Sequence, residues 1–207
     1  CIRDRTKLDW QGRLTQTISG KEVYPRPVQD KLPLWIATGG HVESTVKIAQ
    51  AGLPIVYTII GGNPRYFKKL IQAYREIGSE AGHASHELKV GAHSWGWIAE
   101  DGEQAVKDYF HPTKQVVDAI SKDRPHWQEL RYEQYLEQVG PNGAMFVGNP
   151  DQVAEKLIRM IEDLGLERFM LHLPLGSMPH EQVLRAIELF GTQVAPKVRA
   201  YFAMKEA

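Results

Sequence analysis

An α/β fold built on a parallel sheet is what this sequence predicts, and three observations predict it. Short runs that are apolar throughout recur along the chain. Each is followed by a stretch whose apolar residues return at helical spacing, and glycines or Asn-Pro pairs stand at the joints. Strands buried on both faces need no polar alternation, and parallel neighbours need a long crossover between them. This order therefore reads as strand–helix units with helices covering the sheet. With 43% of its 207 residues hydrophobic, the chain can bury a substantial core, which excludes wholesale disorder.

Residues 1–31 are poorly patterned, with Gly12, Gly20, Pro25 and Pro27 among polar residues, and read as a connecting segment ahead of a folded part at 32–207. After Pro33, Leu34-Trp35-Ile36-Ala37 makes a short strand stopped by Thr38-Gly39-Gly40. Val42, Val46 and Ala49 then recur at helical spacing up to Gly52. A second strand, 54–60, ends at Gly61-Gly62. Asn63 caps and Pro64 starts the next helix, whose apolar face is Phe67, Leu70, Ile71, Tyr74 and Ile77, and Gly82 closes it. A third strand, 90–99, leads to two helices at about 103–122 and 127–138, then a loop through Gly140, Pro141 and Gly143. Asn149-Pro150 repeats the cap-and-start signal for a helix with Val153, Leu157, Ile158, Ile161 and Leu164 inward, ending at Gly165. A fourth strand, 168–173, precedes a last helix from His180, which Pro196 should bend or break. Four strand–helix units fit an open sheet or half of a closed (β/α)8 barrel, which typically takes ~250 residues; periodicity does not separate the two.

Charge and composition narrow the function. Twenty-five basic against 25 acidic side chains leave no electrostatic footprint for nucleic acid or an anionic membrane. No apolar run approaches the ~20 residues that span a bilayer, and no signal peptide opens the chain. One cysteine, Cys1, excludes a disulfide framework and a multi-cysteine metal site. A cytoplasmic protein with neither nucleic-acid nor membrane partners is expected.

Ligands of α/β folds collect at the carboxyl ends of parallel strands. Four places qualify: Thr38-Gly39-Gly40-His41, Gly61-Gly62-Asn63, Ala99-Glu100-Asp101 and Pro174-Leu175-Gly176-Ser177. The first suits a phosphate, because glycines let the backbone approach an anion and the next helix's first N–H groups point at it. Ser44 adds a hydroxyl one turn in. Gly39-Gly40 serves equally as a tight turn, and Gly61-Gly62 as a helix lead-in. Among the eight histidines, His83 and His86 read as solvated loop residues without metal-ligand company, and His172 as a hydrogen-bonded strand residue. His180 is a general-acid candidate or a helix cap. Ala92-His93-Ser94-Trp95-Gly96 resembles a nucleophile elbow and would make Ser94 a hydrolase nucleophile. Trp97-Ile98-Ala99, however, continues the strand where the elbow demands a sharp turn. No dinucleotide fingerprint or Walker loop occurs. The long segment 103–150 could roof a substrate cavity with Trp127, Tyr132 and Tyr135, which helix packing explains as readily.

Val23-Tyr24-Pro25-Arg26-Pro27-Val28-Gln29 with Leu34 to Gly40, Gly52-Leu53-Pro54 with Ile59 to Gly62, and Phe146 to Pro150 with Val153 to Lys156 resemble the bacterial luciferase-like family of flavin-dependent monooxygenases. So do Arg168 to Leu171 and the closing run from Pro179 to Pro196. The resemblance implies a partial (β/α)8 TIM barrel comprising strands five to eight, with the N-terminal half missing. It also implies oxidation of a small organic substrate by reduced FMN and dioxygen. By the resemblance Gly40, His41 and Ser44 would hold the flavin phosphate; Thr38 and Gly39 of the same turn are read with them as cofactor-binding, Gly61 and Gly62 are read as lining the flavin or substrate cavity, and no metal is expected. Some relatives use a deazaflavin for hydride transfer, and some truncated ones hold flavin without turnover; both readings stay open. A flavin reductase partner and a homo-oligomer of the full-length chain complete the expectation. Cys1-Ile2-Arg3-Asp4-Arg5 resembles the translation of a transposon-end adaptor and is expected to be foreign to the protein.

Overall fold

A computed structural model of the chain describes residues 6–30, 32–124 and 127–206; the adaptor-like opening lies outside them. Two compact units divide the chain, Cys1–Trp35 and Ile36–Ala207. The first contains a hairpin where the sequence reads only as connection: β1 (Lys7–Trp10) pairs antiparallel with β2 (Ile18–Glu22). Most positions of both strands are exposed, so neither face needed the alternation that betrays a half-buried strand. Side chains tie it instead. Asp9 accepts from the Gly20 N–H at 2.7 Å, and the Trp10 indole donates to Thr15 Oγ1 at 2.8 Å.

In the second unit four strands run parallel in the order β3 (Ile36–Thr38), β4 (Ile55–Thr58), β5 (Val90–Ile98) and β7 (Arg168–His172). A short β6 (Phe146–Gly148) pairs with the far end of β5. Among the described residues β3 pairs only with β4, and β7 only with β5. Helices α1 (Val42–Gln50), α2 (Phe67–Glu80), α3 (Gly102–Asp123), α4 (Tyr132–Val139), α5 (Pro150–Leu164), α6 (His180–Leu189) and α7 (Ala195–Glu206) fill the connections. The expected cap at Asn63 serves a 3-10 turn, Pro64–Tyr66, that leads into α2. At Asn149 the capping box is reciprocal, with Gln152 N–H to Asn149 Oδ1 at 3.0 Å and Asn149 N–H to Gln152 Oε1 at 2.8 Å. Pro196 does not break the last helix. A π turn, Phe190–Val194, precedes it, with the Ala195 N–H reaching back to the Phe190 carbonyl. That wide turn accommodates the missing proline donor, and helical structure runs on to Glu206.

Residues side by side in a parallel sheet point to one face. Ile55, Tyr57, Val90, Ala92 and Ser94 share the helix-covered face and are fully buried. Ala37, Val56, Thr58, Gly91, His93, Trp95, Arg168, Met170 and His172 share the opposite face. Burial on both faces, expected of every strand, fails at the sheet's margins. Ala37 is exposed, and β7 alternates, with Met170 and His172 exposed and Phe169 and Leu171 half-buried.

Backbone approach is close at Gly96, where a Cβ would lie 2.3 Å from the Phe146 carbonyl oxygen and 2.6 Å from Leu171 Cδ1. The carbonyl belongs to the paired strand β6 and cannot give way. Gly96→Ala is expected to cost about 2 kcal/mol by overpacking, read as a lowered urea midpoint with unchanged slope.

Candidate functional site

Adjacent strands β3 and β4 carry the two glycine turns to one edge of the sheet, because Thr38 lies beside Tyr57 in register. From Thr38, which is buried, the chain turns through Gly39 and Gly40 into α1. Gly40 takes φ 97°, and a side chain there would meet the Phe67 ring at 2.9 Å, so both conformation and space call for glycine. Gly39, Gly61 and Gly62 border open space on the side a Cβ would occupy. These turns leave the backbone accessible to a ligand.

The start of α1 lacks a side-chain cap. His41 occupies the cap position in an extended conformation without offering its ring. Thr45 turns its hydroxyl inward, donating to the His41 carbonyl at 3.1 Å and meeting the Tyr57 hydroxyl at 3.2 Å. Glu43, the acid of the first turn, is drawn to Lys47 at 2.7 Å. Ser44 stands half-buried in that turn. Orphan N–H groups, the positive end of the helix dipole, a serine hydroxyl and a glycine turn thus converge at the rim. This donor set fits an anion such as a phosphate.

The other strand ends are occupied by structural work. Asp101 caps α3, accepting from the N–H groups of Glu103 and Gln104 at 2.8 and 3.1 Å. Glu100 pairs with Arg185 at 2.6 Å, whose guanidinium holds that carboxyl below the usual range. Ser177 donates to Gln115 Oε1 at 3.3 Å. His180 is the exposed first residue of α6, Pro179 holds the cap position, and no side chain caps the helix, so the capping role expected of His180 is not realised.

Ser94 is fully buried in mid-strand, its hydroxyl donating to the Ile59 carbonyl at 2.9 Å. A nucleophile needs an accessible oxygen at the tip of a turn, so the hydrolase reading falls. Tyr135 is buried, donates to the Val106 carbonyl at 2.8 Å and packs on Phe110, so it joins α4 to α3 and does not roof a cavity. His83 is docked where a solvated residue was expected: its Nε2 lies 2.9 Å from the Gln50 carbonyl, and its ring fills the space beside Gly52. No group of three or more His, Cys, Asp or Glu could hold a metal ion among the described residues.

Two features escaped the sequence. His93 and His172 meet on the open face with ring centroids 5.7 Å apart. Burial first, and His172 second, push the His93 imidazole below the usual histidine range. Their only sequence signal is that each stands within an otherwise apolar strand. Lys156 is buried within α5, its Nζ surrounded by backbone carbonyls. No helix of the described residues is long and apolar enough to cross a membrane.

None of the curated proteins compared with the sequence matches it significantly. Solved structures do. The monooxygenase RslO1 from Streptomyces bottropensis superimposes with a TM-score of 0.73 at 20% identity, over 94% of this chain and 57% of that one. The coenzyme F420 dependent tetrahydromethanopterin reductase from Methanopyrus kandleri gives 0.62 at 19% identity, over 91% and 57%. The oxygenating constituent of 3,6-diketocamphane monooxygenase from Pseudomonas putida, in complex with FMN, gives 0.59 at 16% identity, over 93% and 58%. The present chain therefore spans little more than half the length of each. Identities this low establish a shared α/β fold. The family assignment comes from a profile of the luciferase-like monooxygenases, which matches residues 1–168, through the glycine turns, the parallel strands and the start of β7. By that match, the chain belongs to the luciferase-like monooxygenase family.

Proposed function

We propose that the chain is the flavin-phosphate-holding part of a luciferase-like oxidoreductase, equivalent to strands five to eight of a (β/α)8 barrel, acting on a small organic substrate. One observation carries the reading: Thr38–Gly40 delivers the uncapped start of α1 to the rim beside a second open glycine turn. Gly39, Gly40, His41 and Ser44 would hold the phosphate through backbone N–H groups and one hydroxyl, and Gly61 and Gly62 would leave room for the rest of the cofactor. When bound, reduced flavin would supply the electrons and dioxygen would accept them. The protein's part is to seat the anion, orient the ring system and keep water from the reacting face.

The reductase neighbour depends on F420 and the diketocamphane neighbour was solved with FMN, so both cofactor classes belong in the test. A separate reductase as flavin donor and self-association of the longer protein fit the same picture.

Calorimetric titration of the 207-residue chain with FMN, F420 and riboflavin tests the reading. FMN or F420 should bind no tighter than micromolar, since only part of the barrel wall is present. The phosphate-bearing ligand should be preferred over riboflavin by about tenfold, the equivalent of one charge-assisted contact. Equal affinity for FMN and riboflavin would remove the phosphate assignment, and submicromolar FMN binding would contradict the half-barrel.

A further inference from the structure

We propose that the open face of the sheet is a receptor for a small organic anion, whose carboxylate lies between the imidazoles of His93 and His172. This rests on the preceding reading in one respect, that the carboxyl rim of the sheet is the active face. His172 stands at that rim, and His93 lies in mid-strand of β5 beside the end of the shorter β4. His172 is the last residue of β7, and His93 lies in register with Thr58, the last residue of β4. The Gly39 turn follows Thr38, one row below, so the pair and the glycine turn open at the same end of the sheet.

Across the rows of this face stand Ala37, Val56, Thr58, Gly91, Trp95, Arg168 and Met170, and no carboxylate. The turn after β7, from Leu173 to Met178, carries no titratable group. From α6, which packs against β5, His180 and Glu181 are exposed at its start, and Arg185 is engaged by Glu100 and Glu188. Nothing acidic neutralises the pair from β3, β4, β5 or β7.

Two imidazoles in contact resist carrying two charges. A carboxylate accepting an N–H from each ring removes that repulsion, so binding draws a proton from solvent onto the pair. Affinity should therefore fall as pH rises and that proton becomes harder to take up, since burial and His172 already hold the His93 imidazole below the usual histidine range. Met170, exposed beside His93, supplies apolar contact for the organic remainder, and the buried Trp95 backs His172.

Acetate is the probe, added to the 207-residue chain and followed by histidine side-chain NMR and by calorimetry in two buffers of different ionisation enthalpy. Saturable millimolar binding is expected, with an upward shift of the His93 titration midpoint and net proton uptake at pH 7. His172 is exposed, so His172→Gln should fold and should weaken acetate binding about tenfold, while His83→Gln leaves it unchanged. Unchanged acetate affinity in His172→Gln, or the same shift produced by equimolar chloride, overturns the proposal. Acetate binding as expected with no discrimination between FMN and riboflavin removes the flavin reading and leaves this site. The reverse pattern removes the site alone.

Discussion

Ser44→Asp is expected to weaken FMN binding by about 100-fold without unfolding the chain. A carboxylate placed in the first turn of α1 would lie within about 5 Å of a phosphate seated on that helix start. At an effective dielectric near 20, repulsion at that range is on the order of 3 kcal/mol. The same charge complements the positive end of the helix dipole, offset in part by Glu43 next to it, so the melting temperature should stay within a few degrees. Riboflavin, which has no phosphate, should bind the variant as it binds the parent. That pairing of outcomes separates a phosphate seat from a general loss of structure. Retained FMN affinity in Ser44→Asp would place the phosphate elsewhere, and equal loss of both ligands would point to collapse of the rim.

What the sequence disclosed and what it withheld divide along a physical line. Asn149-Pro150, Asn63-Pro64 and Gly165 were legible because a cap closes hydrogen bonds within four residues, so composition at fixed offsets records it. The apolar strands were legible because burial on the helix side excludes polar residues from Ile55, Tyr57, Val90 and Ala92. Strand β6 was not, since three residues cannot show a period, and the hairpin was not, since both its faces are wet. The meeting of His93 with His172 depends on which strands become neighbours, and no local pattern encodes that. At the rim, Gly39-Gly40 marked the place, but the sequence could not tell a tight turn from a ligand seat. The features on which a ligand seat would depend, the Thr45 hydroxyl turned inward onto Tyr57 and a His41 that offers no cap, are set by packing that local sequence does not record.

The largest stability effect is expected at Lys156, a residue that helical periodicity puts beside the inward Leu157 but gives no reason to bury. Its Nζ donates to the carbonyls of Gly140 at 2.7 Å, Met145 at 2.6 Å and Val139 at 3.0 Å, with Gln138 at 3.4 Å, and lies 5.3 Å from the Phe146 ring centroid. Helix α4 ends at Val139, where the Gln138 and Gly140 carbonyls also accept the N–H groups of Met145 and Gly143; the Lys156 amino group gives the Val139 and Met145 carbonyls a donor at the negative end of the helix dipole and pins the loop that feeds β6. Lys156→Met keeps the stem and removes every donor. Leaving buried acceptors unpaired should cost about 3 kcal/mol, a fall in melting temperature on the order of 10 °C for a chain of this size.

Protonation gives a second signature. Burial first, and Arg159 second, push the Lys156 ammonium down to about 7. A neutral amine still donates N–H groups to the carbonyls, so the tether survives deprotonation. Between about pH 7 and 10 the unfolded chain holds a proton that the folded chain has shed. Stability should accordingly rise with pH through that window and be lost again as pH falls through 7. Urea midpoints measured at pH 7, 8.5 and 10 should climb in the parent, and the increment should vanish in Lys156→Met. A variant as stable as the parent at pH 7, with the same rise toward pH 10, would show that water satisfies the α4 carbonyls and that the lysine is incidental to the loop.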